Sequence, residues 1–164
     1  MVGLVDNWED SEQNMELSIR QATIADLPTL VDFTLKEALE AENRELNRSV
    51  VEKGVRASLE NPELAKYWVL ATEDCQSLAS ISVVREWSDW NAGFYWWIQC
   101  LFIRKDYRGQ GLLQQLFSRV QLEARKAGAV ELRLYVHRAN RPACRAYERE
   151  GFRSSPYQIF VREL

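Results

Sequence analysis

The amino-acid sequence predicts one α/β domain built on a mixed sheet, and three observations carry that reading. The chain has 164 residues, enough for a single domain with its own buried core. Apolar residues alternate with period two in some segments and recur with helical period in others. The segments follow the order β-α-α-β-β-β-α-β-α-β, so a strand–helix–strand unit follows a meander. Such a crossover joins parallel strands and is right-handed.

Leu17–Gln21 (LSIRQ) alternates apolar and polar residues and reads as the first strand. Thr23, or Asp26 directly before Leu27-Pro28, caps a helix that continues through Leu30, Val31, Leu35, Ala38 and Leu39. A second helix, about 49–59, places Val51, Val55 and Leu59 on one side, and Asn61-Pro62 stops it. Tyr67–Thr72 and Leu78–Glu86 are strands by their β-branched and aromatic content, with a polar turn at 73–77. A turn at 88–93 leads into the aromatic strand Phe94–Ile103. From Gly111 to Ala127 the period becomes helical, with Leu112, Leu113, Leu116, Phe117, Val120 and Ala124 on one face and Gly128 at the end. Val130–Val136 alternates again as a strand. Asn140–Glu150 is a helix with Asn140 as its cap, and Gln158–Leu164 is expected to be a final strand.

Composition excludes several function classes. Hydrophobic residues make up 46% and charged residues 27%, ordinary globular usage that rules out disorder throughout. The longest uncharged run, Trp90–Ile103, is 14 residues, short of the roughly 20 that a membrane helix needs. No membrane partner is therefore expected. Cys75, Cys100 and Cys144 form no CxxC pair and there is one histidine, so no metal site is expected and the thiols point to a reducing, cytoplasmic compartment. Residues 1–14 contain acids but no Lys or Arg, opposite to a targeting signal. They are expected to form a flexible tail before a single domain at 15–164, with Met15 as an alternative start.

The formal net charge of -3 argues against general nucleic-acid affinity, but the charge is divided. Residues 1–100 carry a net -10 and residues 101–164 a net +7. A basic C-terminal part suits a polyanionic small ligand and an acidic N-terminal part a cationic one.

Chemistry concentrates in Leu101–Phe117. This segment is a strand, a turn holding Arg108, Gly109, Gln110 and Gly111, and the start of an amphipathic helix at Leu112-Leu113. Glycines let the backbone turn sharply and approach a ligand, and a helix start offers free N–H groups and a positive dipole end. The combination is an anion cradle suited to a phosphate or pyrophosphate, unless it is only a turn between strand and helix. It is not a Walker A loop, which requires Lys-Ser/Thr after the last glycine.

This segment resembles the pyrophosphate-binding motif Gln/Arg-x-x-Gly-x-Gly/Ala of the GNAT superfamily of acyl-CoA-dependent N-acetyltransferases. Arg108 and Gly111 fill the first two defined positions, while Leu113 stands where the family usually has Gly or Ala. A second match, from Asn140 through Tyr147 to Gly151-Phe152, is similar to the family's helix ending in Tyr-x-x-x-Gly-Phe. The resemblance covers about residues 16–164. It implies a GNAT-like fold, with a mostly antiparallel central sheet, flanking helices and two parallel strands, 94–103 and 130–136, splayed around the pantetheine arm of acetyl-CoA.

By position, the resemblance assigns cofactor contacts to Leu101, Phe102 and Ile103 on the strand and to Arg108, Gly109, Gln110, Gly111, Leu112 and Leu113 around the pyrophosphate. Asn140 meets the cofactor arm or simply caps its helix. Tyr147 is the proton donor to the departing thiolate, unless it is a core tyrosine. The implied reaction is direct attack of an amine on the thioester in a ternary complex, without an acyl-enzyme. Cys100 and Cys144 have no evident base to make either a nucleophile. A bulge in the 94–103 strand is expected to aim a backbone N–H at the oxyanion.

The general base is not legible. Many relatives carry Glu four residues before Ile103, where this chain has Gln99, and an amide takes no proton, although it can orient an acceptor or a water. Tyr135 occupies another position that is sometimes acidic. Glu86, Asp89 and His137 remain as candidates. Trp87, Trp90, Phe94, Tyr95, Trp96 and Trp97 form an aromatic cluster in which Trp96 and Trp97 must face opposite ways. Trp97, Gln99 and Glu86 are therefore the expected acceptor-side residues, and the expected partners are acetyl-CoA and a primary amine. A homodimer through the final strand is a further expectation. The alternative to an enzyme is a non-catalytic module that senses acyl-CoA.

Overall fold

The computed structural model describes residues 16–164. The expected tail at 1–14 and the alternative start at Met15 lie outside the described residues. The elements are β1 (Leu17–Gln21), α1 (Leu27–Glu42), α2 (Arg48–Glu60), β2 (Lys66–Thr72), β3 (Ser77–Ser88), β4 (Gly93–Ile103), α3 (Leu112–Lys126), β5 (Glu131–Leu134) and α4 (Arg141–Arg149). Short 3-10 turns precede α1 at Ile24–Asp26 and follow β4 at Lys105–Tyr107.

The five strands form one sheet in the order β1-β2-β3-β4-β5. The first three pairings are antiparallel, and β4 with β5 is parallel. The mixed sheet follows from the connections. Short turns return β2, β3 and β4 antiparallel, whereas α3 carries the chain back across the sheet before β5.

Helices cover both faces. On one face, Leu112, Leu116, Phe117, Val120 and Ala124 of α3 pack on Trp68, Leu70, Ile81, Val83, Trp96 and Ile98. On the other, Leu27, Leu30 and Val31 of α1 meet Val55 of α2 and Val69 of β2. Each large side chain so buried contributes roughly 1.5–3 kcal/mol. The N-terminal ends of the helices are closed locally. Asp26 accepts from the Thr23 N–H at 2.8 Å, and Asn47 Oδ1 accepts from the Ser49 N–H at 2.9 Å to start α2.

A bulge in β4 changes which residues face which helix. Ile98 pairs with Val83 and Cys100 with Ser82, leaving Gln99 as the extra residue. Trp96, Ile98, Leu101 and Ile103 pack on the α3 side. Cys100 and Phe102 turn to α1, with Cys100 Sγ 3.8 Å from Thr34 Oγ1 and the Phe102 ring 4.8 Å from that of Phe33. Trp96 is 1% exposed and stacks on Trp68, while Trp97 stacks on Tyr135 on the opposite face. The neighbours do face opposite ways.

Two sequence expectations are corrected. Gln158–Leu164 forms no strand: Ile159, Phe160 and Val161 are exposed, and β5 is the edge of the sheet. Alternation alone does not create a strand, because its free N–H and C=O groups need a ladder partner. In α1 the inward positions include Phe33, whereas Leu39 is 49% exposed.

Candidate active site

A groove opens where the two parallel strands part. Pairing between β4 and β5 runs from Tyr95–Glu131 to Ile98–Leu134; β5 then ends while β4 continues to Ile103. Beyond Ile98 that side of β4 faces α4 across a cavity of about 660 Å³. Leu101, Phe102 and Ile103 form one wall, and Asn140, Ala143 and Tyr147 stand on the other. Asn140 fixes the start of α4 by accepting from the Ala143 N–H at 3.2 Å, so it caps the helix and lines the groove together.

The glycine turn closes one end. Gly109 and Gly111 have φ of 78° and 79°, conformations in which a side chain is strained. Gly111 precedes the first turn of α3, and Gln115 is the first residue to donate back to it, at 3.2 Å. Among the described residues, the amides of 109–114 have no backbone acceptor. Gln110 braces the turn through Nε2, which donates to the Asp106 carbonyl at 3.0 Å. Leu112 is buried in the core, whereas Leu113 lines the groove. Free amides, a helix start and two nearby cations make this end fit a phosphorylated group.

The cations are already engaged. Arg108 donates from Nε to the Ile103 carbonyl at 2.9 Å and from Nη2 to Glu40 Oε2 at 2.7 Å, and Lys105 stands 3.6 Å from the same carboxylate. Desolvation opposes the charge on Glu40, but Arg108 and Lys105 outweigh it and hold its carboxyl below the ordinary value.

At the other end Tyr147 packs against Phe117 and Phe152, with ring centroids 6.0 and 6.2 Å away. Burial, followed by the charges of Glu37, Cys144 and Cys100, pushes its phenol up to about 12. It keeps its proton at neutral pH and is available as a donor. Cys100 is likewise pushed up to about 12, first by burial and then by Glu37, so it is a thiol and a poor nucleophile.

The expected acceptor-side residues lie elsewhere. Trp97 Nε1 donates to Glu86 Oε2 at 2.5 Å, and Arg133 lies 3.3 Å from the Tyr95 ring centroid. These groups stand beyond the bulge, outside the lining of the groove that holds Tyr147. Gln99 is exposed on the bulge and also outside that lining. The Cys100 N–H is taken by Ser82 Oγ at 3.1 Å. Asp89 is exposed in the β3–β4 turn, and His137 Nδ1 accepts from the Ala139 N–H in an exposed loop.

The sequence reading missed Glu37, which enters the groove from α1. Its signal was present: Thr34, Glu37, Ala38 and Ala41 share one helical side, an acid among small or half-polar inward positions. Among the described residues, no cluster of His, Cys, Asp or Glu suits a metal ion, and no helix is long and apolar enough to cross a membrane.

A family model described as the acetyltransferase (GNAT) family matches residues 28–152. The solved structure of a possible acetyltransferase from Clostridium difficile is 34% identical, covers 90% of this chain and 97% of its own, and superposes with a TM-score of 0.84. A predicted acetyltransferase with acetyl-CoA from Clostridium acetobutylicum shares 21% identity and a TM-score of 0.73, covering 90% of this chain and 96% of that one. An aminoglycoside N-acetyltransferase in complex with CoA shares 14% identity and a TM-score of 0.77, with coverage of 91% and 95%. The last two show likeness of fold. No curated protein matches this chain.

Proposed function

The chain belongs to the GNAT acetyltransferase family, and from that premise we propose that it transfers an acetyl group from acetyl-CoA to the primary amine of a small molecule. The observation that carries this reading is the continuous groove from the free amides of 109–114, along the unpaired edge of β4, to the Tyr147 hydroxyl. A peptide or protein amine is the second choice of acceptor.

Bound acetyl-CoA would supply a thioester carbonyl open to attack by an amine. The residues present fit it. Arg108 and the amides of the glycine turn would hold the pyrophosphate, and the backbone of Leu101 with the N–H of Ile103 would meet the pantetheine amides. Phe102, Leu113 and Ala143 would exclude water along the arm, and Asn140 would border it. Tyr147 would give its hydroxyl proton to the departing sulfur. Enclosure by β4, α1 and α4 would align donor and acceptor, which itself lowers the barrier.

The rival reading is an acyl-CoA sensor without catalysis, favoured by the position of Gln99 outside the groove. Calorimetric titration with acetyl-CoA, CoA and ATP is the first test, followed by thiol release with 2-phenylethylamine, spermidine, kanamycin and an alanine-terminated peptide as acceptors. Micromolar binding of acetyl-CoA, unmatched by ATP, with thiol release on one amine supports the enzyme. Binding without release from any amine supports the sensor, and no binding removes both.

A further inference from the structure

We propose that Glu37 is the general base of this site, taking the proton from the ammonium form of the acceptor; the assignment rests on the acetyltransferase reading above. The placement of α1 carries it. Phe33 packs at a tilt against Phe102 and Thr34 meets Cys100, which lays α1 across the outgoing end of β4. Glu37 follows one turn later and enters the groove that Leu101, Ile103 and Tyr147 also line. Its charge raises both Tyr147, on the α4 wall, and Cys100, which lies behind the β4 wall against α1.

Two other carboxylates line this groove. Glu40 is neutralised by Arg108 and Lys105 at the phosphate end. Glu150 stands beyond Tyr147 at the last turn of α4. Glu37 enters from α1, one turn past the Phe33 and Thr34 contacts with β4, and among the described residues it makes no ion pair or hydrogen bond. Burial, then Glu42, raises its carboxyl above the ordinary value, which brings its proton affinity closer to that of an amine.

The proton balance closes. The ammonium gives one proton to the Glu37 carboxylate, which later releases it to solvent. The neutral nitrogen forms its bond to the thioester carbon, and the carbon–sulfur bond breaks. Tyr147 gives its hydroxyl proton to the sulfur and regains one from the new amide nitrogen through water. The products are the amide, free CoA thiol and one proton.

The titratable and charged groups around Glu37 are Asp32, Lys36, Glu40 and Glu42 on α1, Arg108 and Tyr107 in the turn, Tyr147, Arg149 and Glu150 at α4, and the Cys100 thiol behind the β4 wall. Glu40 is already ionised by its cations, while Cys100 and Tyr147 stay protonated at neutral pH. The acid limb of the rate profile is thus assigned to Glu37.

The test compares wild type, E37Q, E37D and E150Q. Acetyl-CoA affinity is measured by calorimetry, and kcat and KM from pH 5 to 9 with whichever probe amine the wild type acetylates. Glu37→Gln should keep acetyl-CoA affinity within about twofold, lower kcat about 100-fold and lose the acid limb, while E37D restores part of the rate. Unchanged kcat and acid limb in E37Q, or their loss in E150Q instead, overturn the assignment and leave the acetyltransferase reading standing. A wild type that acetylates none of the four amines, or fails to bind acetyl-CoA, removes both together.

Discussion

Arg108 and Glu40 face each other at 2.7 Å, so the guanidinium that begins the glycine turn is held by a carboxylate from α1. The same carboxylate draws Lys105 to 3.6 Å. A pyrophosphate entering this turn must compete with Glu40 for both cations, and Glu40 also repels it. α1 is thereby tied to the glycine turn at one end of the groove.

Glu40→Ala should therefore tighten acetyl-CoA binding, by about two- to fivefold, since an exposed ion pair of this kind is worth roughly 0.2–1 kcal/mol. The gain should shrink as salt is added, because salt screens the pair in the wild type. Calorimetry at low and high ionic strength checks both statements. Weaker binding in E40A would show that the carboxylate orders Arg108 for the ligand.

Gly111 sits at φ 79°, and a β-carbon built on it meets no atom within 4 Å. Space is available, but the backbone conformation is strained for a β-branched residue. Gly111→Val should cost roughly 1–3 kcal/mol through the turn. Acetyl-CoA affinity should fall about tenfold or more, with a smaller change in thermal stability if the turn relaxes. Unchanged affinity would remove the turn from the phosphate site.

Tyr147→Phe leaves the contacts with Phe117 and Phe152 in place and removes only the hydroxyl. Turnover should fall about 100-fold while acetyl-CoA affinity stays within about twofold. Equal turnover would make the residue a packing element. Burial pushes the Tyr67 phenol up to about 12 as well, so ultraviolet titration should show two such tyrosines in the wild type and one in the variant.

Asp26 gives a pH prediction for the fold. Its side chain is 8% exposed, pairs with Arg20 at 2.8 Å and accepts from the Thr23 N–H. The Arg20 hydrogen bond, against desolvation and with help from Thr23, holds its carboxyl below the ordinary 3.8. A carboxyl depressed in the folded state stabilises the protein above its unfolded value and loses that contribution as pH falls through the folded one. Asp26→Asn should cost about 1–2 kcal/mol at pH 7, at the lower end because Arg20 is 43% exposed. In urea melts, the difference from wild type should narrow below about pH 4.

Much of this was legible in sequence because it is local. Period-two and helical runs placed β1 to β5 and α1 to α4 within a few residues, and Gly128 and Gly151 end their helices at positive φ. The glycine turn at Arg108–Gly111 and the Asn140 cap of α4 were legible too, since each carries its own backbone geometry. The final strand failed for the complementary reason: Gln158–Leu164 alternates, but a strand exists only where another offers its edge.

The lining of the groove is less legible for a related reason. Position along a strand does not show that Trp97, Gln99 and Glu86 lie outside it, and the bulge at Gln99 resets which later residues face α1 and which face α3. A single extra residue reverses every side chain beyond it, and no pattern within β4 alone locates it.

By itself the sequence determined nine of the elements, their order and the glycine turn after β4, because hydrogen-bonding period, caps and glycine conformations act over a few neighbouring residues. Only the tertiary structure decided that Glu37 of α1 lines the same groove as Tyr147, and that Glu40 holds Arg108. Those relationships join residues 37 to 147 and 40 to 108. Charges so distant along the chain meet only when packing brings α1 across β4, and the free energy of that packing belongs to apolar surfaces rather than to the charges themselves.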